Sequence, residues 1–424
     1  MSLHDTFEAR ERAVLFGVHT GSRDYINDCT EESVKELFLL AETAGAEVVG
    51  ELVQNRPSPD NATYFGEGKV EELRTLCEAN DAELVICDDE LSGTQVRNLE
   101  KALDLRVIDR SSLIMDIFAQ RAKTREGQLQ VELAQLRYFL PRLTGSFVGM
   151  SRQAGGGGIG GARRGPGETK LETNRRHIRS RIQAIEEHLT EVERHRATQR
   201  RQREKEGILQ IAIVGYTNAG KSTLLNFLTD AGVLAEDKLF ATLDPTARRL
   251  TLPDGANALL IDTVGFIRKL PHHLIKAFKS TLEEAANADV LIHVADASSP
   301  YLSDNITVVE DLLKQLGAAS KPTLTVFNKS DLIDFENELS TSENAVKISA
   351  KTGDGIDRML QRLCDILPEK RKNVKVLIPY DKGSLVARLY ETTQINSEVH
   401  TENGTLLDIV TDSRGLAIVS DYIV

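Results

Sequence analysis

Ile211-Ala212-Ile213-Val214-Gly215-Tyr216-Thr217-Asn218-Ala219-Gly220-Lys221-Ser222-Thr223-Leu224-Leu225 decides the fold. An apolar run of strand length leads into Gly215-x-x-x-x-Gly220-Lys221-Ser222, and a helical run over 223–228 leaves it. Strand, glycine loop and helix in that order make a phosphate-binding loop: the glycines let backbone N–H groups wrap phosphate oxygens, and the helix start adds its dipole. Gly215, Tyr216, Thr217, Asn218, Ala219 and Gly220 are expected to line the phosphates. Lys221 is expected to reach the β and γ oxygens, and the Ser222 hydroxyl to bind Mg2+.

Working outward, buried-strand runs at 209–214, 259–261, 290–294 and 324–327 alternate with helix-length segments. That alternation predicts an α/β fold with a doubly wound, mainly parallel sheet over 207–369. Asp262-Thr263-Val264-Gly265 follows the second run, where a P-loop enzyme places an aspartate behind Mg2+ and a glycine amide near the γ-phosphate. Asn328-Lys329-Ser330-Asp331 follows the last run. An aspartate there can accept both the N1–H and the N2 amino hydrogen of guanine, and adenine offers no matching pair. Asn328 and Lys329 would support the base and the loop. Ser349-Ala350-Lys351, after a strand at 345–348, would bring its backbone to the guanine O6. The order of these elements specifies guanine.

Phe240-Ala241-Thr242-Leu243-Asp244-Pro245-Thr246 lies between the first two motifs and resembles the first switch of translation-factor-class GTPases. Thr242 is the expected second hydroxyl on Mg2+, with Thr246 the other candidate. Lys221, Thr242 and Gly265 are thus the expected catalytic contacts. The residue after Gly265 is Phe266, where Ras-like enzymes place a glutamine that orients water, so hydrolysis is expected to be slow until a partner orders the switches.

The remaining chain divides around this domain. Residues 1–111 are expected to form an α/β subdomain, with strands at 13–18, 46–52 and 83–87 and helices at 31–44, 69–77 and 94–103. From about 112 the pattern is helical as far as Leu140, where Pro141 should stop it, and a second long helix is expected over 168–205. Gly155-Gly156-Gly157-Gly158-Ile159-Gly160-Gly161, then Arg163-Arg164-Gly165-Pro166-Gly167, cannot be regular structure, so 112–206 reads as a long helical hairpin with its glycine-rich basic tip at 155–168. Residues 370–424 read as a small α+β domain with strands at 374–378, 406–410 and 416–419 and a helix at 385–393.

The 424 residues are 41% hydrophobic and 27% charged, which excludes a disordered chain. A net charge of -12 argues against nucleic acid until its distribution is traced. Residues 141–205 hold fifteen Lys and Arg against seven Asp and Glu, a local +8 that leaves -20 elsewhere. Arg175, Arg176, Arg179, Arg194, Arg196, Arg200, Arg201 and Arg203 recur along one expected helix, where guanidinium forks suit phosphate. Cys29, Cys77, Cys87 and Cys364 are too scattered for a disulfide framework or zinc site. His272 and His273 are adjacent and would face different ways on a helix, against metal binding. Gly155 to Gly160 spells G-x-G-x-x-G but follows no strand, against a dinucleotide site. The N-terminus has no apolar signal core and no run is long enough to span a membrane, so a cytoplasmic protein is expected.

The chain as a whole resembles the HflX family of GTPases. The likeness rests on Tyr64-Phe65-Gly66-Glu67-Gly68-Lys69, Val107-Ile108-Asp109-Arg110, Asp116-Ile117-Phe118-Ala119-Gln120-Arg121-Ala122, Gln130-Val131-Glu132-Leu133-Ala134-Gln135-Leu136, Arg164-Gly165-Pro166-Gly167-Glu168-Thr169 and the three nucleotide motifs. It implies a GTPase using GTP, GDP and Mg2+ that binds the large ribosomal subunit and its RNA, splits ribosomes, and rescues stalled ones under stress such as heat. It implies a glycine-rich tip that reaches toward the peptidyl-transferase region; here Lys170 stands where glutamine is usual. It also implies a weaker ATP activity in the N-terminal region, though no phosphate loop exists there to assign it. A monomer is expected. The competing reading is a non-enzymatic, GTP-dependent assembly or regulatory scaffold.

Overall fold

In the computed structural model, the short apolar runs at the start of the chain become four parallel strands: β1 (Arg12–His19), β2 (Glu47–Asn55), β3 (Leu84–Cys87) and β4 (Arg106–Asp109). They lie in the order β2-β1-β3-β4. β4 was not expected; four residues with only Val107 and Ile108 apolar carry too little signal. Three helices connect the strands: α1 (Glu31–Ala44), α2 (Glu67–Ala79) and α3 (Gly93–Leu103). Their starts are fixed locally, α1 by the Thr30 hydroxyl accepting from the Ser33 N–H and α3 by a Ser92/Gln95 capping box. Phe16, Tyr64 and Phe65 fill one face of the sheet, Phe16 meeting the other two edge-on at 5.9 and 5.3 Å.

The helical stretch after β4 is two helices, α4 (Arg110–Arg121) and α5 (Arg125–Arg142), where one was expected. Thr124 separates them: its backbone is extended, and its hydroxyl accepts from the Gly127 N–H to start a new helix. Pro141 does not stop α5 but sits in its last turn, where a missing N–H costs one bond at the very end. α6 (Pro166–Lys205) opens on a proline, whose fixed φ suits a first helical position. α5 and α6 meet in one patch, Leu129 and Leu133 against Ile185 with Leu136, Ile182 and Leu189 around them. Arg181 to Glu132 and Arg137 to Glu186 flank it.

The described residues are 10–22, 28–143, 166–205, 208–229, 239–243, 246–253, 255, 257–271, 274–275, 278–333, 344–367, 372–411 and 413–424. They fall into two compact units. The first is Met1–Thr190 with Lys238–Phe240 and Arg268–Phe278, and the second Glu191–Asp237 with Ala241–Ile267 and Lys279–Val424. The division into these units runs through α6, and the chain re-enters the first unit twice.

The second unit holds a six-stranded sheet of β5 (Leu209–Gly215), β6 (Thr246–Thr251), β7 (Asn257–Asp262), β8 (Val290–Asp296), β9 (Thr323–Asn328) and β10 (Ala345–Lys347). Its order is β10-β9-β8-β5-β7-β6, parallel except for β6. α7 (Lys221–Thr229), α8 (Lys279–Asn287), α9 (Leu302–Gln315) and α10 (Ile356–Ile366) complete it. β5 is buried at every residue, as a central parallel strand requires. β6 escaped the sequence reading because it is an exposed edge strand with one buried residue, Leu250.

A three-stranded antiparallel sheet follows, β11 (Lys372–Ile378), β12 (Gln394–Thr401) and β13 (Gly404–Thr411) in the order β11-β13-β12, with α11 (Gly383–Thr392) and α12 (Ser413–Val419). The strand expected at 416–419 is therefore helix, and the third strand is β12. Four apolar residues cannot distinguish helix from strand, and β12 is exposed along most of its length, so neither carried a readable period. Among the described residues no helix is long and apolar enough to cross a membrane.

Candidate nucleotide site

The loop between β5 and α7 has a shape that only its glycines permit. Gly215 sits at φ +154°, and a Cβ on it would stand 2.2 Å from the Val294 carbonyl oxygen. Gly220 sits at φ +93°, with its absent Cβ 2.1 Å from Asn328 Nδ2. Asn218 takes the left-handed conformation at φ +59°, which asparagine tolerates better than most residues. α7 begins at Lys221, so its first amides point back into the loop.

Lys221 is buried, and its Nζ donates to the Gly215 and Tyr216 carbonyls at 3.1 and 2.8 Å. Burial pushes its pKa down to about 8, with Asp262 acting in the opposite direction. A Cβ on Gly265 would lie 3.0 Å from that Nζ, so the glycine is what lets the loop after β7 close on the lysine. Phe266 stitches the two loops: its N–H donates to the Gly215 carbonyl at 3.0 Å and its own carbonyl accepts from the Thr217 N–H at 2.8 Å. Its ring is 1% exposed and belongs to the core.

Three oxygens converge beside the lysine. Ser222 Oγ lies 2.8 Å from Thr242 Oγ1 and 2.8 Å from Asp262 Oδ2, and Thr242 Oγ1 lies 3.0 Å from the same carboxylate oxygen. Asp262 Oδ1 and Thr217 Oγ1 are buried with no hydrogen-bond partner among the described residues. Burial raises the Asp262 pKa, opposed by Lys221 and by both hydroxyls. A compact set of hydroxyl and carboxylate oxygens with unused acceptor capacity fits a small hard cation such as Mg2+. Of the two threonines weighed for that role, Thr242 is at the cluster; Thr246 opens β6, in backbone register with Asp262.

Other expected contacts have different placements. The Phe240 ring does not line the loop: it is buried in the first unit, edge-on to Phe118 at 4.7 Å, so only its backbone is left to the switch. The Leu243 side chain is buried, and Ala241 is half-buried. Thr263 Oγ1 donates to the Ile213 carbonyl at 2.7 Å and Val264 is 5% exposed, so both side chains secure the loop to the sheet. Asp244, residues 155–165 of the tip expected at 155–168, His272 and His273 lie outside the described residues, while 166–168 already belong to α6.

At the base end, Asn328 is a clamp. Its Nδ2 donates to the Ala219 carbonyl at 2.8 Å and its Oδ1 accepts from the Ala350 N–H at 2.9 Å, joining the phosphate loop to the Ser349-Ala350-Lys351 turn. Ser349 Oγ donates to Asp331 Oδ1 at 2.7 Å, and the Ser330 N–H to the Ile348 carbonyl at 3.1 Å. Lys329 stands in the left-handed region at φ +62° and pairs with Asp296 at 2.7 Å. Lys351 is exposed. Asp296 was missed in the sequence, although an acidic residue closing the buried run of β8 was a signal that could have found it. His293, inside the same strand, was also passed over; burial and then Lys221 lower its pKa to about 4, so it is neutral.

The chain matches four family profiles in succession: "GTP-binding GTPase N-terminal" over residues 31–119, "GTP-binding GTPase Middle Region" over 121–203, "50S ribosome-binding GTPase" over 210–329 and "HflX C-terminal domain" over 334–414. It is 52% identical to GTPase HflX of Caldanaerobacter subterraneus subsp. tengcongensis, over 93% of this chain and 90% of that one. It is 48% identical to GTPase HflX of Lacrimispora saccharolytica, covering 98% and 96%. The Escherichia coli K12 GTPase HflX is 42% identical, covering 95% and 94%.

Proposed function

The chain belongs to the HflX family of GTPases, and on that premise we propose that it binds the large ribosomal subunit in its GTP state and splits ribosomes into subunits. Rescue of stalled ribosomes under stress such as heat, in the cytoplasm, is the setting that fits such an activity. The observation that carries the nucleotide part is the convergence of Ser222, Thr242 and Asp262 oxygens next to Lys221 and Gly265. The ribosomal part is supported by the profile matched over 210–329 and by the arginines of α6.

In this reading Gly215 to Gly220 cradle the phosphates with backbone N–H groups, and Lys221 exchanges its two carbonyl partners for β and γ oxygens. Ser222 and Thr242, with Asp262 behind them, would hold Mg2+, which supplies charge neutralisation at those oxygens. The Gly265 amide senses the γ-phosphate, and Asp331 recognises guanine while Asn328 and Lys329 hold its loop. Phe266 offers no group to orient water, so the ribosome completes the catalytic arrangement. Completion of this kind is worth about 10³ to 10⁵ in rate in other GTPases. The four segments 1–111, 112–206, 207–369 and 370–424 would act as the functional modules.

Sucrose-gradient cosedimentation with ribosomal subunits under GTP, GDP and a non-hydrolysable analogue tests the proposal. Selective, analogue-dependent association with the large subunit is expected, together with single-turnover hydrolysis that accelerates when ribosomes are added. Association with neither subunit under any nucleotide would favour the scaffold reading, and equal fast hydrolysis with and without ribosomes would end the idea of a dormant catalyst.

A further inference from the structure

The phosphate loop has two ends. Asn328 Nδ2 donates to the Ala219 carbonyl at 2.8 Å, which ties the later part of the loop to the base side. Thr217 belongs to the other side. Its N–H donates to the Phe266 carbonyl at 2.8 Å. A Cβ on Gly265 would stand 2.8 Å from Thr217 Cγ2, 3.0 Å from its Cα and 3.0 Å from Lys221 Nζ. Thr217, Gly265 and the lysine ammonium thus converge on one corner, and all three lie within the second unit. Gly265 and Lys221 are the groups assigned above to the γ-phosphate, so this corner is where that phosphate belongs.

Thr217 is 7% exposed, and its Oγ1 is buried without a hydrogen-bond partner among the described residues. A buried hydroxyl left unpaired costs stability, and such a group in a functional loop calls for an account. The other hydroxyls around the loop are committed, Ser222 and Thr242 to Asp262 and Thr263 to the Ile213 carbonyl. Phe266 offers no polar side-chain group, and its ring is in the core. The Thr217 methyl faces Gly265, and a β-branched residue so held keeps one rotamer, which fixes where its hydroxyl stands.

We propose that Thr217 is a catalytic residue: its hydroxyl donates a hydrogen bond to a γ-phosphate oxygen, and that bond strengthens as charge spreads over those oxygens in the transition state. The proposal rests on the nucleotide-site reading above and adds to it a donor that the phenylalanine at 266 cannot supply. With Lys221 turned from its carbonyls to the phosphates, a γ oxygen enters the corner beside the hydroxyl. A water oxygen bonds to the γ phosphorus as the bond to the β–γ bridging oxygen breaks; the electron pair leaves with GDP, and the water's proton passes to the released phosphate. Thr217 keeps its own hydrogen throughout. A donor whose bond strengthens in the transition state raises the rate more than the affinity. GDP has no γ-phosphate and does not engage it.

The test uses the full-length protein, single-turnover hydrolysis of GTP without ribosomes, and the affinities of a fluorescent GDP and a fluorescent non-hydrolysable GTP analogue. Thr217→Val keeps the branched shape and removes the hydroxyl: hydrolysis should slow about tenfold to a hundredfold, with both affinities within about threefold. Thr217→Ser keeps the hydroxyl and removes the methyl, and should recover most of the rate. Capture of GDP with aluminium fluoride, a stand-in for the transition state, should weaken in the valine variant by a factor similar to the loss of rate. A valine variant that hydrolyses at the unsubstituted rate, or a serine variant as slow as the valine one, overturns the catalytic role. A loss of GDP affinity equal to the loss of rate also overturns it, and makes Thr217 a packing residue of the loop. Failure of the unsubstituted protein to bind either nucleotide would instead overturn the guanine site itself.

Discussion

Lys221 shows what the site stores before a nucleotide arrives. Its pKa falls from 10.5 to about 8 because burial disfavours the charge, and Asp262 only partly offsets that loss. Between those two pH values the unfolded chain holds more protons, so the penalty on the nucleotide-free fold is complete below about pH 8 and relieved as pH rises through the window. Triphosphate oxygens reverse the imbalance and return the lysine to its charged form. GTP binding near pH 8 should therefore take up to about half a proton from the buffer. Titration calorimetry in two buffers of different ionisation enthalpy measures this, and Lys221→Met should abolish the buffer dependence; identical enthalpies in the unsubstituted protein would contradict the account. At this scale the sequence located residues that the structure brings together around one loop, as for Gly220, Lys221, Ser222 and Asn328. It was opaque at Phe240 and Thr263, because their spacing within a motif does not reveal which way a side chain turns. Lys269 was opaque for a different reason: a lysine after a switch reads as a solvated charge until its carboxylate partners, 180 residues earlier in the chain, are seen beside it.

Elements were legible in proportion to their burial. β5, β8 and β9 are continuous apolar runs because both faces are covered, whereas β6 and β12 are exposed strands whose polar sequences carry no period. Thr124 could have been read as the start of α5, since a threonine at the first cap position competes with helix continuation from α4. α6 is the extreme case: forty residues long, it has few apolar positions, and its support from α5 is concentrated at Ile182, Ile185 and Leu189. Ile185 is 1% exposed in that patch. Its replacement by alanine should cost about 2–4 kcal/mol, from lost burial plus the void left against Leu129 and Leu133. Arg181→Ala removes an exposed pair with Glu132 and should cost much less, since solvent screens it. Urea unfolding of the two variants, followed by helical circular dichroism, compares them; an equal shift in midpoint would mean the helix is held by its ion pairs instead of its apolar patch.

For the whole molecule, the composition points away from the partner that the chain's organisation favours. The net -12 sums an acidic body at -20 and a segment, residues 141–205, at +8. The structure divides that segment's arginines further. Arg181 is committed to Glu132 and Arg196 to Glu284, while Arg176, Arg179 and Arg194 are exposed and Arg175 is half-buried. Arg179 touches only the edge of Glu172, at 3.9 Å, a pairing that an RNA phosphate could readily replace. The division of the chain into two units is not visible in composition either: 238–240 and 268–278 join the first unit through Phe240, Arg268 and Lys269, whose burial no periodicity announces. If the arginines near the start of α6 contact ribosomal RNA, each phosphate neutralised releases counterions, and the logarithm of the binding constant falls with the logarithm of salt by about 0.7–0.9 per contact. Replacing Arg175, Arg176 and Arg179 together with glutamine should then flatten that slope by about two to three, with nucleotide affinity unchanged because none of the three belongs to the GTP site. Large-subunit binding of the analogue-bound protein across a salt series gives the slope directly. A triple variant that binds more weakly with an unaltered slope would place these arginines in a protein contact, and the charge polarity would then need a different explanation.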